Sequence, residues 1–88
     1  MRFYVDPGKV AYRVTDGEAV LIQTDTSYYY CLNAVGTYIW ELLAAGHRTA
    51  NELAAAVSQE FGQPQSVVEP DVRLLLADLK KEGLIAEE

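Results

Sequence analysis

One cysteine and one histidine are the only thiol and the only imidazole in this 88-residue sequence, the groups best suited to nucleophilic and soft-metal chemistry near neutral pH. Cys31 sits in an apolar, tyrosine-rich run with no neighbouring His, Lys or Arg to stabilise a thiolate, and reads as a half-buried small apolar residue. His47 stands between Gly46 and Arg48 in a loop signal, where it reads as a solvated residue near the negative pole of a preceding helix. A single His and a single Cys exclude a His/Cys metal cluster. The carboxylates Asp71, Asp78 and Glu82 alternate with Arg73, Lys80 and Lys81 as an ordinary solvated helix surface. No spacing pairs a general acid with a general base. The expectation is a protein that is not an enzyme and needs no cofactor and no metal.

Bulk properties narrow the field further. The chain has room for one domain, residues 1–88, with residues 1–9 as an N-terminal arm. Half of its residues are apolar, so a modest core can form. Seven basic against thirteen acidic residues give a net charge of −6, the wrong sign for a protein that must displace the counterions of a nucleic acid. A lone cysteine makes no internal disulfide, and neither a membrane-length apolar run nor a signal-peptide core is present. A cytoplasmic location is expected, without nucleic-acid or membrane partners.

The elements that must position any site fall into a strand half and a helix half. Val10–Val14 alternates, Asp16-Gly17 supplies a hairpin turn, and Ala19–Thr24 is a β-rich run suited to a central strand. Asp25-Thr26-Ser27 marks a second turn, and Tyr28–Leu32 is a third strand. Phe3 to Val5 has strand character too, separated from the rest by Pro7-Gly8. Beyond Asn33 the apolar period changes to 3.6. Val35, Tyr38, Ile39, Leu42 and Leu43 trace a first helix from an Asn33 cap to Gly46. Thr49 to Glu52 forms a capping box for a second helix through Leu53, Ala56, Val57 and Phe61 to Gly62. The third helix carries Val72, Leu75, Leu76 and Leu79 and stops at Gly83. It starts at Ser66 or at Glu69, because Pro70 suits a first turn. Leu84-Ile85 reads as a tail folding back. The fold class is α+β and winged-helix-like: a three-stranded antiparallel meander followed by three helices.

Tyr28-Tyr29-Tyr30-Cys31-Leu32 is the anomaly. A meander makes it an outer strand, yet it has none of the Lys or Pro residues that normally keep outer strands from pairing with other chains. The first strand does carry such protection, in Pro7, Lys9 and Arg13. Either the third helix covers the open ladder and the tyrosines pack the core, or the ladder accepts a foreign strand. A second copy of the chain could use it, giving a homodimer through the third strand. Trp40 reads as a core residue, and Leu74 as a single exposed leucine opposite the helical stripe.

The run Tyr30-Cys-Leu32-Asn33-Ala-Val-Gly36-Thr-Tyr-Ile39-Trp40-Glu-Leu42-Leu43 resembles the LN…G..IW.LL signature of the PqqD-like family, named for pyrroloquinoline-quinone synthesis protein D. Asp71-Val72-Arg73-Leu-Leu75-Leu76-Ala-Asp-Leu79, followed by Gly83-Leu84-Ile85, resembles that family's third helix, and the likeness extends from about Val10 to Ile85. Pro70 departs from the pattern. The resemblance implies a peptide-recognition domain for ribosomally made, modified peptides. Such a domain holds the leader of a precursor peptide beside the third strand, against the third helix, and presents it to a modifying enzyme, often a radical-SAM protein. The binding residues expected are then Tyr28, Tyr29, Tyr30, Cys31 and Leu32. The helix wall expected is Arg73, Leu76, Ala77 and Lys80, which share one side of a helical wheel, with the two cations orienting an acidic leader residue. Two other readings compete. A winged-helix DNA-binding regulator would use the second helix, which holds Glu52 and Glu60 and no Lys or Arg. A docking subunit would only stabilise an enzyme.

Overall fold

The computed structural model describes residues 1–88. The order of elements is β1 (Phe3–Tyr4), β2 (Val10–Thr15), β3 (Glu18–Gln23), β4 (Tyr28–Leu32), α1 (Ala34–Ala45), α2 (Ala50–Phe61), α3 (Gln65–Lys81) and β5 (Ala86–Glu87). β2, β3 and β4 form an antiparallel meander in that spatial order, and the three helices follow it, as the sequence pattern predicts.

Local chemistry explains each turn in the chain. Asp16 and Gly17 both take positive φ, 54° and 77°, between the paired residues Thr15 and Glu18. That mirror-image turn matches the strand twist and fixes the register of the hairpin. The register aligns Tyr12, Leu21 and Tyr30 across the sheet, and Val14, Ala19 and Leu32 likewise. Side chains alternate along a strand, so these residues share one face, where Ala19, Leu21 and Leu32 are buried against the helices. Ala11, Arg13, Val20, Ile22, Tyr29 and Cys31 lie on the other face.

Asn33 caps α1 by accepting a hydrogen bond from the Gly36 N–H at 2.9 Å. A Cβ at Gly36 would stand 3.1 Å from Leu32 Cδ2, so glycine lets the first turn of α1 sit directly on the end of β4. The next residue fastens the two together. The buried Thr37 hydroxyl accepts from the Ala19 N–H at 2.8 Å and donates to the Leu32 carbonyl at 3.4 Å, bridging the last rung between β3 and β4.

The capping box of α2 forms as expected: Glu52 N–H donates to Thr49 Oγ1, and Thr49 N–H donates to Glu52 Oε1. Gly62 ends the helix in the left-handed region at φ 66°. α3 differs from both sequence-based alternatives, because it starts at Gln65. The amides of Val67 and Val68 close on the Pro64 carbonyl, so Ser66 is already helical and its hydroxyl makes no cap bond. Pro70 therefore lies inside α3, where its missing N–H leaves the Ser66 carbonyl without its helical donor.

The sheet and helices share one core of 17 buried apolar residues, with Trp40 fully enclosed and the Tyr12 ring edge-on to it at 5.5 Å. Leu84 and Ile85 fold back into this core. β5 then pairs with β1, Phe3 opposite Glu87 and Tyr4 opposite Ala86. Phe3 also exchanges two backbone hydrogen bonds with Arg48, at 2.7 and 3.0 Å. His47 stacks on Tyr4 with ring centroids 4.5 Å apart, and its Nδ1 meets Glu88 Oε1 at 2.8 Å. No helix is long and apolar enough to cross a membrane.

Candidate functional site

β4 is an outer strand, and the hydrogen-bond parity of the sheet shows what its edge offers. The Thr24 N–H donates to the Lys9 carbonyl at 3.0 Å. Glu18, Val20, Ile22 and Thr24 therefore turn their backbone groups toward β2, and Ala19, Leu21 and Gln23 turn theirs toward β4. With Leu21 opposite Tyr30, the groups of Tyr28, Tyr30 and Leu32 point inward. The N–H and C=O of Tyr29 and Cys31 point out of the sheet, and no other part of the chain bonds to them.

Beside this edge lies a hollow of about 610 Å³. Tyr30, Cys31 and Leu32 of β4 form one wall, with Asn33, Val35, Gly36 and Ile39 continuing it into α1. Val57, Phe61 and Gln63 close the far end, and α3 supplies the facing wall through Val67, Val68, Asp71, Val72 and Leu75. Three large apolar side chains of this lining, Val35, Phe61 and Val67, remain exposed to solvent, as does Tyr28 beside it. Exposed apolar residues gathered around one concavity mark a binding surface rather than scattered surface leucines. Leu74 is such a scattered leucine, 66% exposed and outside the lining.

The five β4 residues singled out in the sequence thus lie together, and three of them line the hollow. The helix wall is another matter. Arg73, Leu76, Ala77 and Lys80 lie on the opposite flank of α3, where they line a separate hollow of about 220 Å³ with Phe3, Ala50 and Glu87. Arg73 pairs with Glu69 there and Lys80 with Glu87. A helical wheel shows two flanks beside the Val68/Val72/Leu76/Leu79 stripe, and only the packing decides which one turns toward β4. Val67, Asp71 and Leu75 occupy that flank, and they were missed in the sequence because both flanks border the same stripe equally.

The flank that faces β4 differs in sign from the Arg73/Lys80 flank. In place of two cations, α3 presents carboxylates along the groove. Asp71 lines the hollow itself. Asp78 and Glu82 lie close enough to the tyrosines that, with burial as the larger cause, they push the Tyr28 and Tyr30 phenols above their ordinary value. Cys31 also differs from its expected half-buried state. Strand parity puts its side chain on the open face with Tyr29, and the thiol is exposed. No group of three or more His, Cys, Asp or Glu residues is arranged to hold a metal ion.

The family model described as Coenzyme PQQ synthesis protein D (PqqD) matches residues 18–85 of this chain. Among solved structures, the chain is similar to TbiB1 in complex with the TbiA(beta) leader peptide. The identity is 30% and the TM-score 0.86, over 97% of this chain and 96% of that one. It also shares its fold with lasso peptide synthetase B1 complexed with the leader peptide. There the identity is 23% and the TM-score 0.82, over 99% of this chain and all of that one. No curated protein sequence matches the chain.

Proposed function

The chain belongs to the PqqD family, and on that premise we propose that it is a peptide-binding adaptor without catalytic residues. It captures the leader segment of a ribosomally made precursor peptide by strand addition at β4 and presents the precursor to a modifying enzyme of the radical-SAM type. One observation carries this reading: the outward backbone groups of Tyr29 and Cys31 are unpaired and stand beside an apolar hollow. The leader complex of the 30% identical relative TbiB1 supports it.

Magnitudes show why the edge needs the hollow. The four outward groups of Tyr29 and Cys31 would make bonds worth roughly 1 kcal/mol net each. Ordering a flexible leader costs about 2–5 kcal/mol, so backbone pairing alone nearly cancels. Two or three apolar leader side chains, at roughly 1.5–3 kcal/mol apiece, add about 3–9 kcal/mol, so the hollow must supply most of the ~8 kcal/mol that micromolar binding needs. A hollow of about 610 Å³ is within the ordinary range for binding sites and can take them.

The test is a titration with synthetic leader segments of candidate precursor peptides. Amide signals of Tyr28 to Leu32 and of the Val67 to Leu75 turns of α3 should shift, and their silence at high micromolar leader rejects strand addition. DNA recognition has no comparable support. The exposed surface of α2 carries Glu52 and Glu60 and no cation, so random duplex should give no gel shift even at low salt. The open β4 edge also suits a second copy of the chain. Sedimentation with and without leader distinguishes the two, because leader binding dissociates a β4-mediated dimer.

A further inference from the structure

The groove has two chemically different ends. Near Leu32 it is apolar, bounded by Val35, Phe61 and Val67. The other end is set by the C-terminus of α3, which lies against the β3–β4 hairpin: a Cβ at Gly83 would stand 3.3 Å from Gln23 Nε2. Gln23 is the residue opposite Tyr28 in the sheet. Asp78 and the α3 C-cap Glu82 follow Asp71 and Leu75 at helical spacing, so they continue the flank that lines the hollow and lie within electrostatic reach of Tyr28 and Tyr30. Neither is neutralised, because the ion pairs of the chain are His47–Glu88, Arg73–Glu69 and Lys80–Glu87. The Tyr28 and Tyr30 rings, 6.4 Å apart and tilted by 56°, add aromatic faces to the same end. An anionic side chain arriving here meets repulsion, and a cationic one gains both carboxylates and the aromatic faces.

We propose that the leader segment captured at β4 carries a lysine or arginine opposite Tyr28, on the same side of the strand as the apolar residues that fill the hollow opposite Tyr30 and Leu32. The inference rests on the adaptor reading and specifies its ligand. Strand geometry gives the pattern. Side chains facing the groove recur every second residue, so the basic residue stands two and four positions from the apolar anchors, roughly 7 and 13 Å along the strand. The acidic rim confers selectivity, and the hollow and the open backbone supply most of the affinity.

The test is a selection from a random dodecapeptide display library on the intact chain, followed by Kd measurements on the best binder with Lys, Gln or Glu at the proposed position. Enrichment of Lys or Arg two and four residues from a pair of apolar residues is expected. The Lys peptide should bind about three- to tenfold more tightly than the Gln peptide, and the Glu peptide more weakly still. Asp78→Asn/Glu82→Gln should abolish that ranking, whereas Asp16→Asn/Glu60→Gln, an equal charge change away from the groove, should leave it intact. Binders that shift the Tyr29 and Cys31 amides yet show no preference among the three peptides overturn the inference and leave the adaptor reading standing. An equal effect of the distant pair shows that net charge, not the groove, does the sorting, and also overturns it. Selected binders that leave those amides unmoved reject both.

Discussion

β2 and β4 are both outer strands of the same three-stranded sheet, and each has backbone groups pointing away from it. At β2 those groups belong to Val10, Tyr12 and Val14, while Pro7, Lys9 and Arg13 guard the approach. No β2 residue lines either of the two hollows described above. At β4 no charge interrupts Tyr28 to Leu32, and α1 and α3 flank an apolar concavity alongside. An unpaired edge is therefore not enough to make a peptide site. What distinguishes β4 is somewhere for the side chains of an added strand to go.

The largest effect expected comes from blocking the edge itself. Proline is tolerated in an outer strand where its nitrogen faces solvent, so Cys31→Pro should leave a folded chain by circular dichroism. It should weaken leader binding at least about a hundredfold, since it removes an outward N–H and puts a ring in the path of the incoming strand. Val14→Pro makes the equivalent change at β2 and should leave the leader Kd unchanged. Equal losses from both would erase the distinction between the edges.

Gly36→Ala tests the floor of the hollow. The new methyl would press on Leu32 at 3.1 Å, and overpacking of this kind costs about 1–3 kcal/mol, read as a lower midpoint in urea unfolding. Val67→Ser separates the hollow from the backbone. Val67 is 56% exposed in the free protein, so the variant should unfold with nearly the parental midpoint while leader binding weakens roughly tenfold. Retained affinity would mean that the apolar hollow contributes little and the edges differ for another reason.

The smallest effects should lie away from both edges. Thr49→Ala removes the α2 cap and should cost about 1 kcal/mol of stability by denaturant titration without altering the leader Kd. The Thr49 backbone N–H, the main cause, holds the Glu52 carboxyl below its ordinary 4.5. A depressed folded-state pKa stabilises the protein above the unfolded value and ceases to do so as the pH falls through the lowered one. The urea midpoint should therefore fall below about pH 4.5, and Glu52→Gln should flatten that acid limb.

The comparison also shows which features can be read without coordinates. Asp16-Gly17, the Thr49–Glu52 box and the Asn33 cap are local devices whose geometry depends on a few adjacent residues, and each forms as its chemistry predicts. The meander and the uncharged outer strand follow from them. β5 left no trace, because two residues, Ala86 and Glu87, are too few to alternate and owe their pairing to Phe3 and Tyr4. The start of α3 depended on Pro64, whose carbonyl closes the first turn in place of any side-chain cap. The flank of α3 that meets β4 is a tertiary property. Arg73 and Asp71 border the same apolar stripe, and the sequence weighs them alike until the helix is docked.

The side-chain parity of β4 has one practical consequence. It sets the Cys31 sulfhydryl on the solvent face of the strand, midway along the ladder that the leader would extend, and it is the sole cysteine of the chain. Its alkylation rate is thus a native footprint of that edge. A cysteine introduced into a synthetic leader at the position opposite it would project on the same side, close enough for disulfide trapping of the bound segment in a single register.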